Sequence, residues 1–151
     1  MIPHPDFAGS DFPETAQLGA FRLSMLTAGD VEEDFAEVTR SAAVLKGLFD
    51  PQWPDGLTLA DNETDLHWHH REFTARRSFA WILRDAGGTY LGCAYFNPVI
   101  GARGSGVGVY WIVDRPDRLE LLSRFGPLYE DWLRGKIPTG YRLSLESNAD
   151  L

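Results

Sequence analysis

The stretch that decides the fold is Val107-Gly108-Val109-Tyr110-Trp111-Ile112-Val113, which is followed at once by Asp114-Arg115-Pro116-Asp117. The first segment is apolar on both alternating faces, which predicts a strand that is covered on both sides at the centre of a sheet. Pro116 suits the first turn of a helix, and apolar residues continue at helical spacing to Leu133. A strand that leads directly into a helix N-terminus is a usual place for an anionic ligand in an α/β sheet.

The patterns on either side of this junction predict an α/β (α+β) fold, with a mixed sheet and helices on both faces in the order β-α-α-β-β-β-α-β. Two helices are expected to begin at the capping sequences 27–30 and 58–61, and to end near Phe49 and Arg77. A Gly126-Pro127 pair predicts a kink or a split in the last helix. The remaining strands are predicted at residues 21–26, 79–84, 89–96 and 141–146.

The length of the chain predicts one domain of ordinary size. With 151 residues, of which 44% are hydrophobic, the chain can bury a full core without disulfides. Residues 1–20 are rich in proline and glycine and show little periodicity, so we expect an irregular N-terminal arm. Residues 21–151 are then expected to form the single folded domain.

Charge and cysteine content exclude several classes of function. A formal charge of −8 and a pI of about 4.9 leave no broad positive field for nucleic acid or an anionic membrane. No apolar run reaches the ~18 residues of a membrane span. The single cysteine, Cys93, lies within a predicted strand and excludes an internal disulfide. We therefore expect a cytoplasmic protein.

The predicted second helix carries the densest set of titratable side chains. Asp65, His69 and Glu72 stand at i, i+4 and i+7, on one helix face, where a carboxylate could orient an imidazole as a general base. The alternative is that the histidines are hydrogen-bonded residues packed between Leu66 and Phe73. The spacing lacks a third, remote ligand, so we predict no metal site.

Two of the five tryptophans are candidates for lining a ligand pocket. Trp53 lies in a proline-rich connection, and Trp68 stands off the apolar face of the second helix. Trp81 and Trp132 fit core packing instead.

In its order of elements the chain resembles the GNAT superfamily of N-acetyltransferases. Arg22-Leu23, Leu26-Thr27 and Asp30, at the turn from first strand to first helix, resemble the opening of that family. The resemblance covers roughly residues 14–145. It implies that the strand at 107–113 and the following helix bind acetyl-CoA, through the strand's exposed backbone and the start of the helix.

The resemblance also implies roles for individual residues. The backbone of Trp111, Ile112 and Val113 and the side chains of Arg115 and Arg118 are the expected cofactor contacts. Independently of the resemblance, acid–base chemistry makes Glu72, His69 and Tyr110 the expected catalytic residues, which would deprotonate an amine acceptor, either a small molecule or a peptide. The alternative is a catalytically degenerate GNAT-fold protein that binds a small ligand or a partner protein.

The sequence departs from the family at two places. The family's glycine-rich phosphate loop should follow the strand, yet residues 114–118 contain no glycine. Arg103-Gly104-Ser105-Gly106-Val107-Gly108 has the right letters but precedes a strand, so it is expected to be a hairpin connection. The chain also ends near the family's fifth strand, and an exposed last strand leads us to expect a homodimer.

Overall fold

The sheet has six strands whose spatial order follows the order of the chain. The computed structural model describes residues 1–151, and every neighbouring pair of strands is antiparallel except the last pair, β5 and β6. The strands are β1 Thr15–Leu18, β2 Phe21–Met25, β3 Phe79–Arg84, β4 Tyr90–Pro98, β5 Ser105–Ile112 and β6 Arg142–Ser147. The helices are α1 Val31–Arg40, α2 Ala42–Leu45, α3 Leu59–Thr74 and α4 Arg118–Arg134. The predicted mixed α/β fold is confirmed.

The two faces of the sheet are covered by different helices. Residues that pair across β4 and β5 point to the same face, and successive residues alternate. Tyr110 packs on Phe125 and Tyr129 of α4, so its face is the α4 face. Tyr95 contacts His69 of α3, and its face is the α3 face. None of the helices is both long and apolar enough to cross a membrane.

The N-terminal segment belongs to the core, which corrects the expectation of an irregular arm. Thr15–Leu18 forms the edge strand β1. Phe7 and Phe12 are each 1% exposed and pack on the rings of Phe79 and Phe96. The irregular part therefore ends at Glu14, and the aromatic side chains of this part are buried in the core.

The first predicted helix is broken at Ser41, which separates α1 from α2. The Ser41 hydroxyl accepts a hydrogen bond from the backbone N–H of Asp114, 2.9 Å away, and its own backbone leaves helical geometry there. Phe49 consequently lies in the connection that follows α2 instead of on a helical stripe.

One further expectation about the fold was wrong. β5 is flanked by β4 and β6 and is second from the sheet edge, not central. α4 runs without interruption through Pro127, so of the predicted kink or split the split does not occur. The prediction of β3 at residues 79–84 is confirmed at both ends. The capping box at Thr58 and Asp61 is also confirmed.

Candidate active site

A cavity of about 350 Å³ opens on the α3 face, between α1, α3 and the connection from α2 to α3. Carboxylates and aromatic rings dominate its wall, and no lysine or arginine lines it. The lining residues are Leu26, Asp34, Val38, Phe49, Asp50, Trp53, Asn62, Asp65, Leu66, Trp68, His69, Tyr95 and Asn97. We call this cavity the α3 pocket.

Asp34 forms the polar floor of the α3 pocket and is only 4% exposed. Its Oδ1 accepts a hydrogen bond from the Tyr90 hydroxyl at 2.6 Å, and the Cys93 thiol lies 3.7 Å from the same oxygen. Its Oδ2 accepts a bond from Asn62 Nδ2 at 2.9 Å. A carboxylate has about four acceptor positions, so these three donors leave capacity for a ligand.

The titration of Asp34 is governed mainly by its burial. Loss of solvent raises the pKa of the carboxyl, while the bonds from Tyr90, Asn62 and Cys93 and the charge of His69 act in the opposite direction. Burial likewise raises the pKa of Tyr90 and Cys93 well above their usual values. Their protons therefore stay on the donors, and Asp34 is the group of this cluster that can carry charge.

His69 lies on the wall of the α3 pocket, above the floor. Its Nε2 is 3.4 Å from Asp65 Oδ2, one helical turn away, and its side chain is 16% exposed. Its ring stands 5.5 Å from the ring of Tyr95 and 5.1 Å from that of Trp68. The predicted pairing of a carboxylate with this imidazole is present, and the pair faces a cavity.

Aromatic side chains close the pocket opposite α3. The ring of Phe49 packs edge-on against Trp53 at 4.8 Å and against Tyr95 at 5.1 Å. Trp68 stands at the rim and is 47% exposed. The indole N–H of Trp111 on β5 donates to the Tyr95 hydroxyl at 3.1 Å and so holds the Tyr95 side chain in the wall of the pocket. Trp53 and Trp68 both line the cavity, as the sequence suggested.

Asp34 and Asn62 were missed by the sequence analysis although a signal for them exists. Polar residues stand within the inward-facing stripes of the α1–α2 segment and of α3, with the same spacing of four, three and four residues. The two stripes are Asp34, Val38, Ser41 and Leu45, and Asn62, Leu66, His69 and Phe73. A polar residue on an inward stripe must find a partner, so two facing stripes of this kind indicate a polar site between them.

The structure separates the three predicted catalytic residues. Glu72 is buried near the C-terminal end of α3, outside the pocket lining, and its Oε2 accepts from Arg77 Nε at 3.1 Å. Tyr110 lies on the opposite, α4 face, with its hydroxyl packed against Gly126. Only His69 lies in the α3 pocket.

The expected cofactor edge of β5 is saturated by hydrogen bonds within the chain. The N–H and C=O of Ile112 are both bonded to the side-chain amide of Asn148, at 3.1 and 2.9 Å. Beyond it, Asp114 N–H donates to Ser41, and Asp114 C=O accepts from Arg40 at 2.7 Å. Trp111 and Val113 are fully buried, and Val113 N–H donates to Leu91 of β4.

The two expected cofactor arginines are also engaged. Arg115 forms an ion pair with Asp117 at 2.5 Å, which lowers the pKa of that exposed carboxyl. Arg118 donates to the backbone C=O of Asn148 at 2.5 Å. The start of α4 thus holds a carboxylate of its own chain and no glycine.

The glycine-rich segment 103–108 lies at the opposite end of β5, and residues 105–108 form the start of that strand instead of the expected hairpin connection. The two residues before the strand bind a carboxylate. Asp6 accepts from Gly104 N–H and from Arg103 Nε, both at 2.8 Å. These two bonds lower the pKa of Asp6. Arg103 and Gly104 therefore connect the N-terminal segment to the start of β5. No three His, Cys, Asp or Glu side chains stand close enough together to hold a metal ion.

No family model and no curated protein sequence matches the chain. Solved structures do resemble it. The ribosomal L7/L12 alpha-N-protein acetyltransferase RimL in complex with coenzyme A superimposes with a TM-score of 0.68 at 15% identity, over 82% of this chain and 71% of that chain.

Two other acetyltransferases are similar to comparable extents. The microcin self-immunity acetyltransferase MccE, in complex with acetyl-CoA and AMP, gives a TM-score of 0.60 at 13% identity, over 85% of this chain and 72% of that one. A putative GNAT-family acetyltransferase from Bordetella pertussis gives 0.59 at 14% identity, over 83% and 75%. At these identities the similarity concerns the fold, and the chain has the fold of the GNAT superfamily.

Proposed function

We propose that the protein is a GNAT-type acyltransferase that transfers an acetyl or acyl group to an amine held in the α3 pocket. The fold supports the reaction class, since the similar structures are acetyltransferases. The observation that carries the proposal is the pocket itself. A cavity of this size, with a buried carboxylate, two further aspartates and four aromatic rings, suits an organic ammonium group.

The charge of the pocket favours binding of the protonated amine. Asp34 offers its remaining acceptor capacity at the floor, and the aromatic rings of Trp53, Trp68 and Tyr95 line the same cavity. Binding a cation beside Asp34 favours the ionised carboxylate, so a bound ammonium opposes the upward pKa shift that burial causes.

His69 is the proposed proton acceptor. An ammonium must lose a proton before its nitrogen can attack an acyl group, and an imidazole in its neutral form can take that proton near neutral pH. Asp65, 3.4 Å from His69 Nε2, orients the ring and stabilises the imidazolium that results. Glu72 and Tyr110 have no part in this proposal because neither lines the pocket.

The proposed acyl donor is acetyl-CoA, and the residues expected to hold it do not fit it in the conformation described. The backbone groups of Ile112 and Asp114 that could pair with an extended ligand are already bonded within the chain. α4 begins at Arg118, so Pro116 lies before the helix and not in its first turn as expected, and Asp117 at the N-cap places a negative charge at the helix start. The proposed roles of Asp34 and His69 therefore concern the amine alone.

Two measurements test the proposal. Release of free thiol from acetyl-CoA is followed with a panel of acceptors that includes a small primary amine and a peptide with a free N-terminus. In parallel, calorimetry measures binding of each amine to the protein alone and to Asp34→Asn. We expect thiol release that depends on the amine, and amine affinity that falls at least tenfold in Asp34→Asn. Absence of amine binding to the folded protein would contradict the proposal.

The saturated edge of β5 favours a second candidate, a GNAT-fold protein that binds an ammonium ligand without catalysis. In this candidate function the α3 pocket binds the ammonium ligand as proposed, and no acyl donor binds. Amine binding that is retained, together with no thiol release under any condition, would select it over the transferase.

We also propose a homodimer in which two sheets meet through β6. This strand pairs only with β5 and presents its other edge, and its residues alternate between exposed and half-buried. Gel filtration coupled to light scattering tests this proposal, and a monomer at micromolar concentration would overturn it.

A further inference from the structure

Asn148 lies where the pairing of β5 with β6 stops. The two strands are parallel and pair from Ser105 with Arg142 to Tyr110 with Ser147. Beyond Ser147 the chain turns into a short 3-10 helix, Asn148–Asp150, and no backbone remains to pair with Ile112. The side chain of Asn148 takes over at this point and is fully buried.

The amide of Asn148 behaves as a substitute for a strand. Its Oδ1 accepts from Ile112 N–H at 3.1 Å, and its Nδ2 donates to Ile112 C=O at 2.9 Å. The second hydrogen of Nδ2 reaches Val44 C=O at 3.2 Å, which ties the turn to the end of α2. An amide that both donates to and accepts from one residue reproduces the pattern with which any amide-containing extended ligand would bind that edge.

The turn that carries Asn148 is held by few other contacts. Arg118 donates to the Asn148 C=O, and Ser147 Oγ accepts from Ala149 N–H at 3.2 Å. Ala149 and Asp150 are exposed. Displacement of the turn would therefore expose Ile112 and release Arg118 at the start of α4 in a single movement. A free edge amide and a free guanidinium suit a ligand that carries an amide arm and a phosphate, and Arg115 pairs with the nearby Asp117 carboxylate.

We propose that Asn148 is an intramolecular competitor for the donor site, so that acetyl-CoA binds only when the 148–150 turn leaves β5. The inference rests on the proposed function, because it concerns access of that function's donor. It predicts that the intact protein binds acetyl-CoA weakly and that loss of the Asn148 side chain strengthens binding.

The experiment compares acetyl-CoA affinity in the wild-type protein, Asn148→Ala and the matched control Ser144→Ala, whose side chain is exposed on β6. Hydrogen exchange at the Ile112 amide is measured on the same samples. We expect at least a tenfold gain in affinity and at least tenfold faster exchange at Ile112 in Asn148→Ala, with no change in Ser144→Ala. Should Asn148→Ala fail to fold, Asn148→Asp removes both donated bonds while keeping the size of the side chain.

Measurable and equal affinity for acetyl-CoA in the wild-type protein and Asn148→Ala would overturn the inference and leave the proposed function standing. If Ile112 exchanges faster and acetyl-CoA still does not bind, both the inference and the proposed donor are wrong. Amine binding in the α3 pocket is measured separately, so a failure of the pocket proposal is distinguishable from a failure at Asn148.

Discussion

The α3 pocket and the junction of β5 with α4 differ in how their polar groups are used. In the pocket, Asp34 has acceptor capacity left, and His69 meets only a carboxylate and aromatic rings. At the junction, Ile112 and Asp114 have both backbone groups bonded. A buried polar group with an unused hydrogen-bonding position indicates a place for a ligand, whereas groups whose hydrogen bonds are all made within the chain indicate a structural role. The two regions should therefore respond differently to mutation.

The largest effect of a mutation on stability is expected at the floor of the pocket, where Asp34 is both a proposed ligand contact and a partner of buried donors. Asp34→Ala would leave the Tyr90 hydroxyl and the Asn62 amide without their buried partner, which should lower the free energy of unfolding by about 2–4 kcal/mol. Urea denaturation of the variant measures this loss.

The matched control is Asp65→Ala, at the more exposed wall of the same pocket. Its carboxylate has no buried donor to abandon, so the free energy of unfolding should change by no more than about 0.5 kcal/mol. Equal losses of unfolding free energy in both variants would show that Asp34 contributes no more to stability than Asp65 does.

The contrast between floor and junction also separates what the sequence could predict from what it could not. The continuous apolar run of residues 79–83, followed by the turn sequence at 85–88, predicted β3 because this signal lies within one short segment of the chain. Asn148 gave no signal, because its partners Ile112 and Val44 lie far away in the chain and a single asparagine after a strand is common in turns. β1 was missed because a four-residue edge strand between glycine and proline has too little periodicity to stand out.

The site was predicted in part for a similar reason. Residues Asp65 and His69 belong to one helix, so their contact could be read from spacing. Glu72 has the right spacing too, but a basic partner five residues on, Arg77, draws it into an ion pair. Which face of β5 Tyr110 takes depends on the register with β4, and no local pattern reveals that register.

A second, smaller effect is expected on the α4 side of β5. A Cβ on Gly126 would come 2.4 Å from the Tyr110 hydroxyl, so Gly126→Ala must displace that ring. We expect a loss of about 1–3 kcal/mol in the free energy of unfolding.

Gly135→Ala at the end of α4 is the control for this overpacking. The nearest atom to a Cβ there is 3.5 Å away, an ordinary contact, and no loss is expected. Thermal unfolding of both variants compares them, and an unchanged Gly126→Ala would mean that Tyr110 moves freely and is not part of the packed core.

A third effect tests saturation at the junction directly. Ser41→Ala removes the acceptor of the Asp114 N–H and should cost about 1 kcal/mol, since water can replace part of the bond at this partly buried position. Chemical denaturation measures it against Ser144→Ala on exposed β6. No difference between the two variants would mean that the junction is less tightly built than the pocket floor.

The smallest effect concerns pH and the Asp6 contact. The pKa of Asp6 is lowered in the folded protein by Gly104 and Arg103, so the folded state holds this proton less readily than the unfolded state does. The stabilisation is present above the ordinary carboxyl pKa and is lost as the pH falls below about 4. Asp6→Asn should therefore destabilise at pH 7 and have less effect at pH 3.

Melting temperatures of the wild-type protein and Asp6→Asn at the two pH values test this prediction. Asp11→Asn serves as the control, because Asp11 is exposed and its only ion pair, with Lys136, is at the surface. A difference between wild type and Asp6→Asn that grows on acidification would contradict the expected direction of the pH dependence.

The placement of the tryptophans allows ligand binding to be followed by the intrinsic fluorescence of the protein. Trp81 and Trp111 are fully buried and should emit as shielded indoles, whereas Trp68 at the rim and Trp53 in the wall line the cavity. Excitation at the red edge of the absorption band selects the solvent-facing pair. A cation entering the α3 pocket should then quench or shift long-wavelength emission while the short-wavelength component stays constant. Ligand screening could proceed on the unlabelled chain.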